Sequence, residues 1–177
     1  FEFSLEKVTL NRYDQNSIKG QLANNIVIDI KQITDSLFFF GTGDGLSYAQ
    51  IHNTDSINFG YFINSKSNPM PRGGNPALAI NGSSIVVSGV IDTLTSTSGN
   101  EVKGTGISFS TNYGDTWHYI KQPVDDVPQG EQFHKIKWGE QEINALAITT
   151  EINNVSYDLA IYGNYIYSVS WAGGLRR

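Results

Sequence analysis

Hydrophobic and polar residues alternate over short stretches of this chain, and helical spacing is nearly absent. Phe1, Phe3 and Leu5 alternate with polar residues. β-Branched or aromatic runs, mostly bounded by turn-forming residues, lie at 26–30, 37–40, 85–91, 107–109, 117–120 and 165–169. Such runs predict strands, and no window of about eleven residues keeps the spacing of an amphipathic helix. We therefore predict an all-β chain.

Two stretches of the chain repeat without gaps. Residues 77–89 align with residues 158–170, and both read as strand, glycine-containing turn, strand. A looser copy with a longer turn lies at 27–41. Residues 145–148 repeat the tetrapeptide of residues 77–80 but lack the second strand. We interpret them as an additional strand within an insertion.

A third strand is expected after each copy of the hairpin. Gly45, Gly106 and Gly174 are each followed by an aliphatic residue, and they are 61 and 68 residues apart. Three strands joined by short turns make an antiparallel meander. One such sheet cannot bury both of its faces, so the copies must stack side by side.

A turn motif follows the third strand of the middle copy. It reads Ser-Thr-Asn-Tyr-Gly-Asp-Thr-Trp and begins at Ser110. The Ser110 hydroxyl and the Asn112 amide can bond backbone groups in a tight turn, and Gly114 can adopt a positive φ. We expect Thr116 to begin the fourth strand. Trp117 can then close over the hairpin as a buried side chain.

This motif resembles the Asp-box, Ser-x-Asp-x-Gly-x-Thr-Trp, also called the bacterial neuraminidase repeat. It occurs in β-propellers of the sialidase, sortilin and photosystem-assembly types, where it is a folding element away from the central ligand-binding face. Asn112 replaces the usual aspartate, which keeps an acceptor oxygen and removes a charge. We expect a degenerate box at 53–56 with Phe59, whereas in the third copy residues 171–177 reach only the point where a box would begin.

The resemblance implies antiparallel four-stranded β-propeller blades, with residues 1–177 forming an incomplete propeller of two blades and part of a third. The expected divisions are about 26–64 for blade 1, 76–122 for blade 2 with the Asp-box, 123–157 for an insertion and 158–177 for the start of blade 3. Propellers typically have about four to eight blades. The remainder of a longer polypeptide, or another chain, is therefore expected to complete it, and residues 1–10 read as an additional strand.

Composition and charge narrow the choice of partners. Twelve basic against seventeen acidic side chains give a net charge of -5, and the basic residues are scattered, so nucleic acid is not expected as a partner. The apolar runs are far shorter than the roughly 20 residues that span a bilayer, so no membrane insertion is expected. The chain has no cysteine and begins at Phe1. Together with the resemblance to exported bacterial propellers, this favours a secreted or cell-surface location after removal of a signal peptide.

The sequence offers no catalytic constellation, and we expect no catalysis within this chain. A sialidase-like hydrolase needs clustered arginines, and the four arginines are Arg12, Arg72, Arg176 and Arg177, without an Arg-Ile-Pro motif. Carboxylates that could serve a glycosidase read instead as solvated surface, namely Asp125, Asp126, Glu140 and Glu142.

No cofactor or metal is expected. The glycines at 41–45 lack the following helix that a phosphate loop needs. Histidines lack metal-ligand spacing, and the acidic turns lack the Asp-x-Asp-x-Asp-Gly calcium pattern; the residues concerned are His52, His118, His134, Asp44, Asn53 and Asp55. Three aromatic residues could present a sugar-stacking surface, Tyr113, Trp138 and Trp171, and Trp138 is the first candidate for a partner contact.

The leading hypothesis is a non-enzymatic propeller segment of an exported or cell-surface bacterial protein, acting as a scaffold or interaction module for a protein or glycan ligand. The alternative is part of a glycan-active, sialidase-like hydrolase whose catalytic residues lie in missing blades. A third possibility is a subunit fragment retained in a larger assembly.

Overall fold

The computed structural model of the chain describes residues 22–53, 56–62, 69–70, 73–96, 99–121, 133–146, 154–171 and 173–177. Within this part every regular element is a β-strand, which confirms the all-β prediction. The strand expected at residues 1–10 lies outside the described residues. In chain order the strands are β1 (Val27–Gln32), β2 (Leu37–Thr42), β3 (Gly45–Asn53), β4 (Ser56–Tyr61), β5 (Leu78–Asn81), β6 (Ser84–Thr95), β7 (Gly99–Ser110), β8 (His118–Ile120), β9 (Phe133–Trp138), β10 (Gln141–Leu146), β11 (Ser156–Tyr162), β12 (Tyr165–Ser170) and β13 (Gly174–Arg176).

The strands form three meanders and one separate hairpin. The first sheet has the order β1-β2-β3-β4, the second β5-β6-β7-β8, and the third β11-β12-β13. Strands β9 and β10 pair only with each other among the described residues. All neighbouring strands are antiparallel, so the prediction of antiparallel four-stranded sheets is confirmed.

The three sheets share one register, which is marked by one glycine in each third strand. Gly45 and Gly174 begin β3 and β13 as expected, whereas β7 begins at Gly99, so the expectation that a third strand starts at Gly106 is wrong. The register pairs are Thr42 with Gly45, Gly89 with Gly106, and Ser170 with Gly174. These glycines have φ values of 98°, 108° and 63°, in the left-handed region that residues with a Cβ rarely adopt. Positions in different sheets can therefore be compared by counting from these pairs.

The second sheet is covered on both faces. Ile85 and Val87 of β6 belong to a core shared with Phe39 of the first sheet. Val86, which lies between them and points the other way, belongs to a core shared with Leu159 of the third sheet. We call the side of each sheet that bears Phe39, Val86 or, at the same register position in the third sheet, Tyr167 its leading face, and the opposite side its trailing face.

Aromatic side chains fill the space between the first and second sheets. The rings of Phe39 and Phe62 lie 5.3 Å apart. Phe62 also meets Trp117 edge to face at 5.4 Å, and Tyr48 lies 5.5 Å from Phe62. Each buried large apolar side chain contributes about 1.5–3 kcal/mol, and aromatic pairs add about 0.5–1.5 kcal/mol. This cluster accounts for much of the attachment between these two sheets.

Backbone contacts fix the first sheet against the start of the second. The Asn75 amide donates to the carbonyl of Thr42 at 2.8 Å, and the Leu78 amide donates to Oδ2 of Asp29 at 2.9 Å. A Cβ at Gly41 would lie 2.1 Å from the backbone oxygen of Asn75. Gly41 is therefore needed for the close approach of these two backbone segments.

The β9–β10 hairpin lies within the expected insertion. Trp138 pairs with Gln141 across a turn in which Gly139 has a φ of 62°. Lys135 and Glu142 form an exposed ion pair of 3.0 Å, which contributes at most about 1 kcal/mol. Residues 147–153, which include half of the repeated tetrapeptide, lie outside the described residues.

We predict that Gly41→Ala destabilises the fold by about 2–3 kcal/mol, because the added methyl group displaces the Asn75 carbonyl. Urea denaturation followed by far-UV circular dichroism measures the change. Gly43→Ala is the matched control, since its Cβ would lie 3.2 Å from Oδ1 of Asn24, a side-chain atom that can move. Equal losses in the two variants would contradict the close approach at Gly41.

Candidate functional site

Two side-chain oxygens organise the turn that resembles an Asp-box. Oγ of Ser110 accepts hydrogen bonds from the amides of Asn112 at 3.2 Å and Gly114 at 2.9 Å. The same hydroxyl donates to Oδ1 of Asn112 at 2.9 Å. Oδ1 of Asn112 also accepts from the amide and the hydroxyl of Thr116, at 3.0 and 3.2 Å. Asn112 thus supplies the acceptor oxygen that an aspartate would supply.

The backbone of this turn needs two left-handed residues. Tyr113 has a φ of 58°, and Gly114 has a φ of 93°. A Cβ at Gly114 would lie 3.0 Å from the ring of Phe39, so the turn also packs directly on the first sheet. The Tyr113 amide donates to the carbonyl of Ser83 at 2.9 Å, which joins the turn to the β5–β6 connection.

The fourth strand starts later than the sequence predicts. Thr116 was expected to begin it, but that expectation is wrong because both Thr116 donors bond Asn112 inside the turn. Strand β8 begins at His118, which pairs with Phe109. Trp117, between the turn and the strand, is 4% exposed in the core of the first and second sheets. Its indole nitrogen has no acceptor among the described residues, so packing holds the ring.

The first sheet turns into its fourth strand at a later register position than the second sheet does. Ser110 lies opposite Ile85, and the corresponding position in the first sheet is Ala49, opposite Phe38. Strand β3 runs past Ala49 to Asn53, which pairs with Ser56 of β4, so the chain turns between its third and fourth strands at 53–56. Thr54 and Asp55 of the expected degenerate box lie outside the described residues. Alternating strand patterns do not reveal such a difference in strand length.

An open cavity lies between the second and third sheets. Its volume is about 610 Å³. The lining residues come from β7 and β8, with Lys121, and from β11 to β13 and their turns; they are Gly106, Ile107, Ile120, Lys121, Ser156, Asn164, Tyr165, Ile166, Ser168, Arg176 and Arg177. The guanidinium of Arg177 lies 4.5 Å from the centre of the Tyr165 ring, a cation–π contact at the edge of the cavity.

The cavity was not predicted from the sequence. Its walls come from two sheets that are separated along the chain, so no local motif marks it. The one available signal is the repeat, which aligns Ile107 with Leu46, because each follows the glycine of its third strand. That alignment becomes informative only once the structure shows what lies against Leu46.

The other candidate residues do not form a shared site in the described part of the chain. Nε2 of His52 is 3.0 Å from Nδ2 of Asn58, and His118 stacks on Phe109 at 5.1 Å. Trp171 is exposed. Asp44, Glu140 and Glu142 are exposed as well. Eight further candidates lie outside the described residues, or their side chains do: Trp138, His134, Asn53, Asp55, Asp125, Asp126, Arg12 and Arg72.

The described residues were compared with the requirements of a metal site and of a membrane-spanning helix. Among the described residues no three His, Asp or Glu side chains gather as a metal site would require. That part of the chain also includes no helix of the length and apolarity needed to cross a bilayer.

Comparison with known proteins gives no family assignment. No family model matches the chain, and no curated protein matches it. The Asp-box interpretation therefore depends on the eight residues that begin at Ser110 and on the geometry around them.

We predict that Asn112→Ala destabilises the protein by about 1–2 kcal/mol, because three donors lose their acceptor. Asn112→Asp keeps the acceptor and is expected to match or exceed the stability of the unchanged chain. Asp115→Ala, in the same turn and exposed, is the control and should change stability by about 0.5 kcal/mol or less. Thermal unfolding at neutral pH measures all three, and an Asn112→Asp variant as unstable as Asn112→Ala would refute the acceptor role.

Proposed function

We propose that this chain is part of a β-propeller that serves as a non-enzymatic scaffold or interaction module of an exported or cell-surface protein. The observation that carries the proposal is the apolar surface at both ends of the stack of three sheets. Further sheets, from the remainder of a longer polypeptide or from another chain, would cover these surfaces and complete the ring.

The leading face of the third sheet is open. The residues paired with the register glycines are Thr42, Gly89 and Ser170. The residues three positions before them are Phe39, Val86 and Tyr167. Phe39 and Val86 are buried under the next sheet. Around Tyr167, by contrast, Tyr162 is 77% exposed and Leu175 is also exposed. The position that is buried in two sheets is thus only half-buried in the third, on a face whose neighbouring side chains are exposed.

The trailing face of the first sheet is open as well. Ile85 and Val87 on the trailing face of the second sheet correspond to Phe38 and Phe40, which are only half-buried. Ile30 pairs with Phe40 and is 56% exposed. Contiguous exposed apolar surface of this kind marks an interaction site.

The shared register supports blades rather than the two layers of a sandwich. In a sandwich each sheet buries one face and leaves the other to solvent, with polar residues there. Here the second sheet buries both faces, and both end sheets carry apolar residues on the faces that point out of the stack. A repeat of side-by-side antiparallel sheets with this property is typical of a propeller.

The scaffold role is supported by the internal use of the polar groups in the Ser110 turn. The hydroxyl and amide groups of the Ser110 turn are used in internal hydrogen bonds, and the turn aims Trp117 into the core. The resemblance to the Asp-box adds support for an exported protein. A protein or a glycan is the ligand class that the exposed aromatic residues favour.

We predict that the isolated chain self-associates as its concentration rises, because its two open faces are apolar. Ile30→Lys and Leu175→Lys, one on each face, should each raise the apparent dissociation constant about tenfold or more, since a buried lysine charge is costly. Sedimentation velocity measures the association. Leu94→Lys is the control, because Leu94 is 81% exposed on the part of β6 that extends beyond the stack.

The proposal fails if the chain stays monomeric at every concentration, or if Leu94→Lys weakens association as much as the two face variants. Hydrolysis of aryl glycosides by the purified chain would contradict its non-enzymatic part.

A further inference from the structure

We propose that the cavity between the second and third sheets is the binding site for a further β-strand that carries a tryptophan. The occupant is a segment of the same type as residues 110–121, added to the edge of β13 that faces away from β12, with its indole in the cavity. The inference rests on the proposed function, because it extends the sheet stacking described above.

The space between the first and second sheets shows what the equivalent site contains when it is filled. Trp117 lies there with Leu46 and Phe62 of the first sheet on one side. Ile85 and Val87 of the second sheet complete its surroundings. One indole ring thus closes the gap between neighbouring sheets at the level of the third and fourth strands.

The cavity is lined by the equivalents of those same residues. Ile107 corresponds to Leu46, because each follows the glycine of its third strand. Ile120 pairs with Ile107, and the amide of Phe62 donates a hydrogen bond to the carbonyl of Leu46. Ile120 therefore corresponds to Phe62. Ile166 and Ser168 correspond to Ile85 and Val87 by their distance from the glycine-paired position, and they form the opposite wall.

Exposure at the cavity agrees with a missing side chain. Ile120 is 45% exposed, although its counterpart Phe62 packs against Trp117. The volume of about 610 Å³ is within the range of about 300–1,000 Å³ that is usual for ligand pockets. Ser168 makes this cavity more polar than the equivalent space beside Val87. We therefore expect the indole to be held less tightly here than Trp117 is held between the first and second sheets.

The third sheet also offers a strand edge for the occupant. The first and second sheets each have a fourth strand beside the third strand, whereas β13 pairs only with β12 among the described residues. An extended peptide can add to such an edge through backbone hydrogen bonds, and its side chains then supply specificity. The cavity and the edge are adjacent, so one segment can use both.

The first test uses a dye-labelled synthetic peptide of residues 110–121 and the complete chain. We expect fluorescence anisotropy to show binding, and the same peptide with Trp117→Ala to bind about tenfold more weakly or worse. In the protein, Ser168→Trp fills the cavity and should abolish binding. Ser96→Trp, at an exposed turn between β6 and β7, is the matched control and should leave binding unchanged.

The second test attaches the same twelve residues after Arg177. Ser110 lies opposite Ile85, and the residue that follows Arg177 falls opposite Ile166 in the same register. We expect the extended chain to unfold about 4 °C or more above the chain extended by the peptide with Trp117→Ala. Differential scanning calorimetry measures the difference, and it detects a strand that binds too weakly as a free peptide.

The inference is overturned if the peptide does not bind and the two extended chains unfold at the same temperature. Binding that is equal for the tryptophan and alanine peptides overturns it too, since the edge alone would then be the site. If either result is found while Ile30→Lys and Leu175→Lys still weaken self-association, the proposed function stands without this inference. If those face variants are also without effect, the stacking itself is wrong.

Discussion

Each meander of this chain carries apolar residues on both faces, and the rest of the structure depends on covering them. The second sheet shows the solution, with Ile85 and Val87 turned to one neighbour and Val86 to the other. Burial of apolar area contributes about 25 cal/mol per Å², so each face that a neighbouring sheet covers adds to stability. The first and third sheets each have one such neighbour among the described residues, which leaves one apolar face of each open.

The connection between neighbouring sheets combines a tight backbone approach with an aromatic filler. Gly41 admits the Asn75 carbonyl near the first strand, and Trp117 fills the gap near the fourth. The Ser110 turn serves the second task, because its hydrogen bonds fix the direction in which the chain enters β8. Where the third sheet lacks a fourth strand in the described residues, the same gap is a cavity. The cavity therefore follows from the repeat and is not an isolated surface feature.

Strand-forming runs, the repeat of 77–89 at 158–170, and the register glycines of the third strands could all be read from the sequence, because each is local. The start of β7 at Gly99, well before Gly106, could not. The acceptor role of Asn112 was also predictable from the turn chemistry of amide side chains. The start of β8 was not, because Thr116 could bond either the turn or the neighbouring strand, and only the folded geometry selects the turn. The length of β3 was not predictable either, since it is decided by its pairing with β4.

By itself, the sequence determined the strand content, the antiparallel meanders and the need for stacking, since alternation and turn residues act over a few neighbouring positions. The tertiary structure decided which faces are covered and which are open, and it placed Ile107 and Ile120 opposite Ile166 and Ser168 around a cavity. These residues are distant along the chain and become neighbours only when one sheet packs on the next. Long-range packing of that kind depends on register between sheets, which no local pattern specifies.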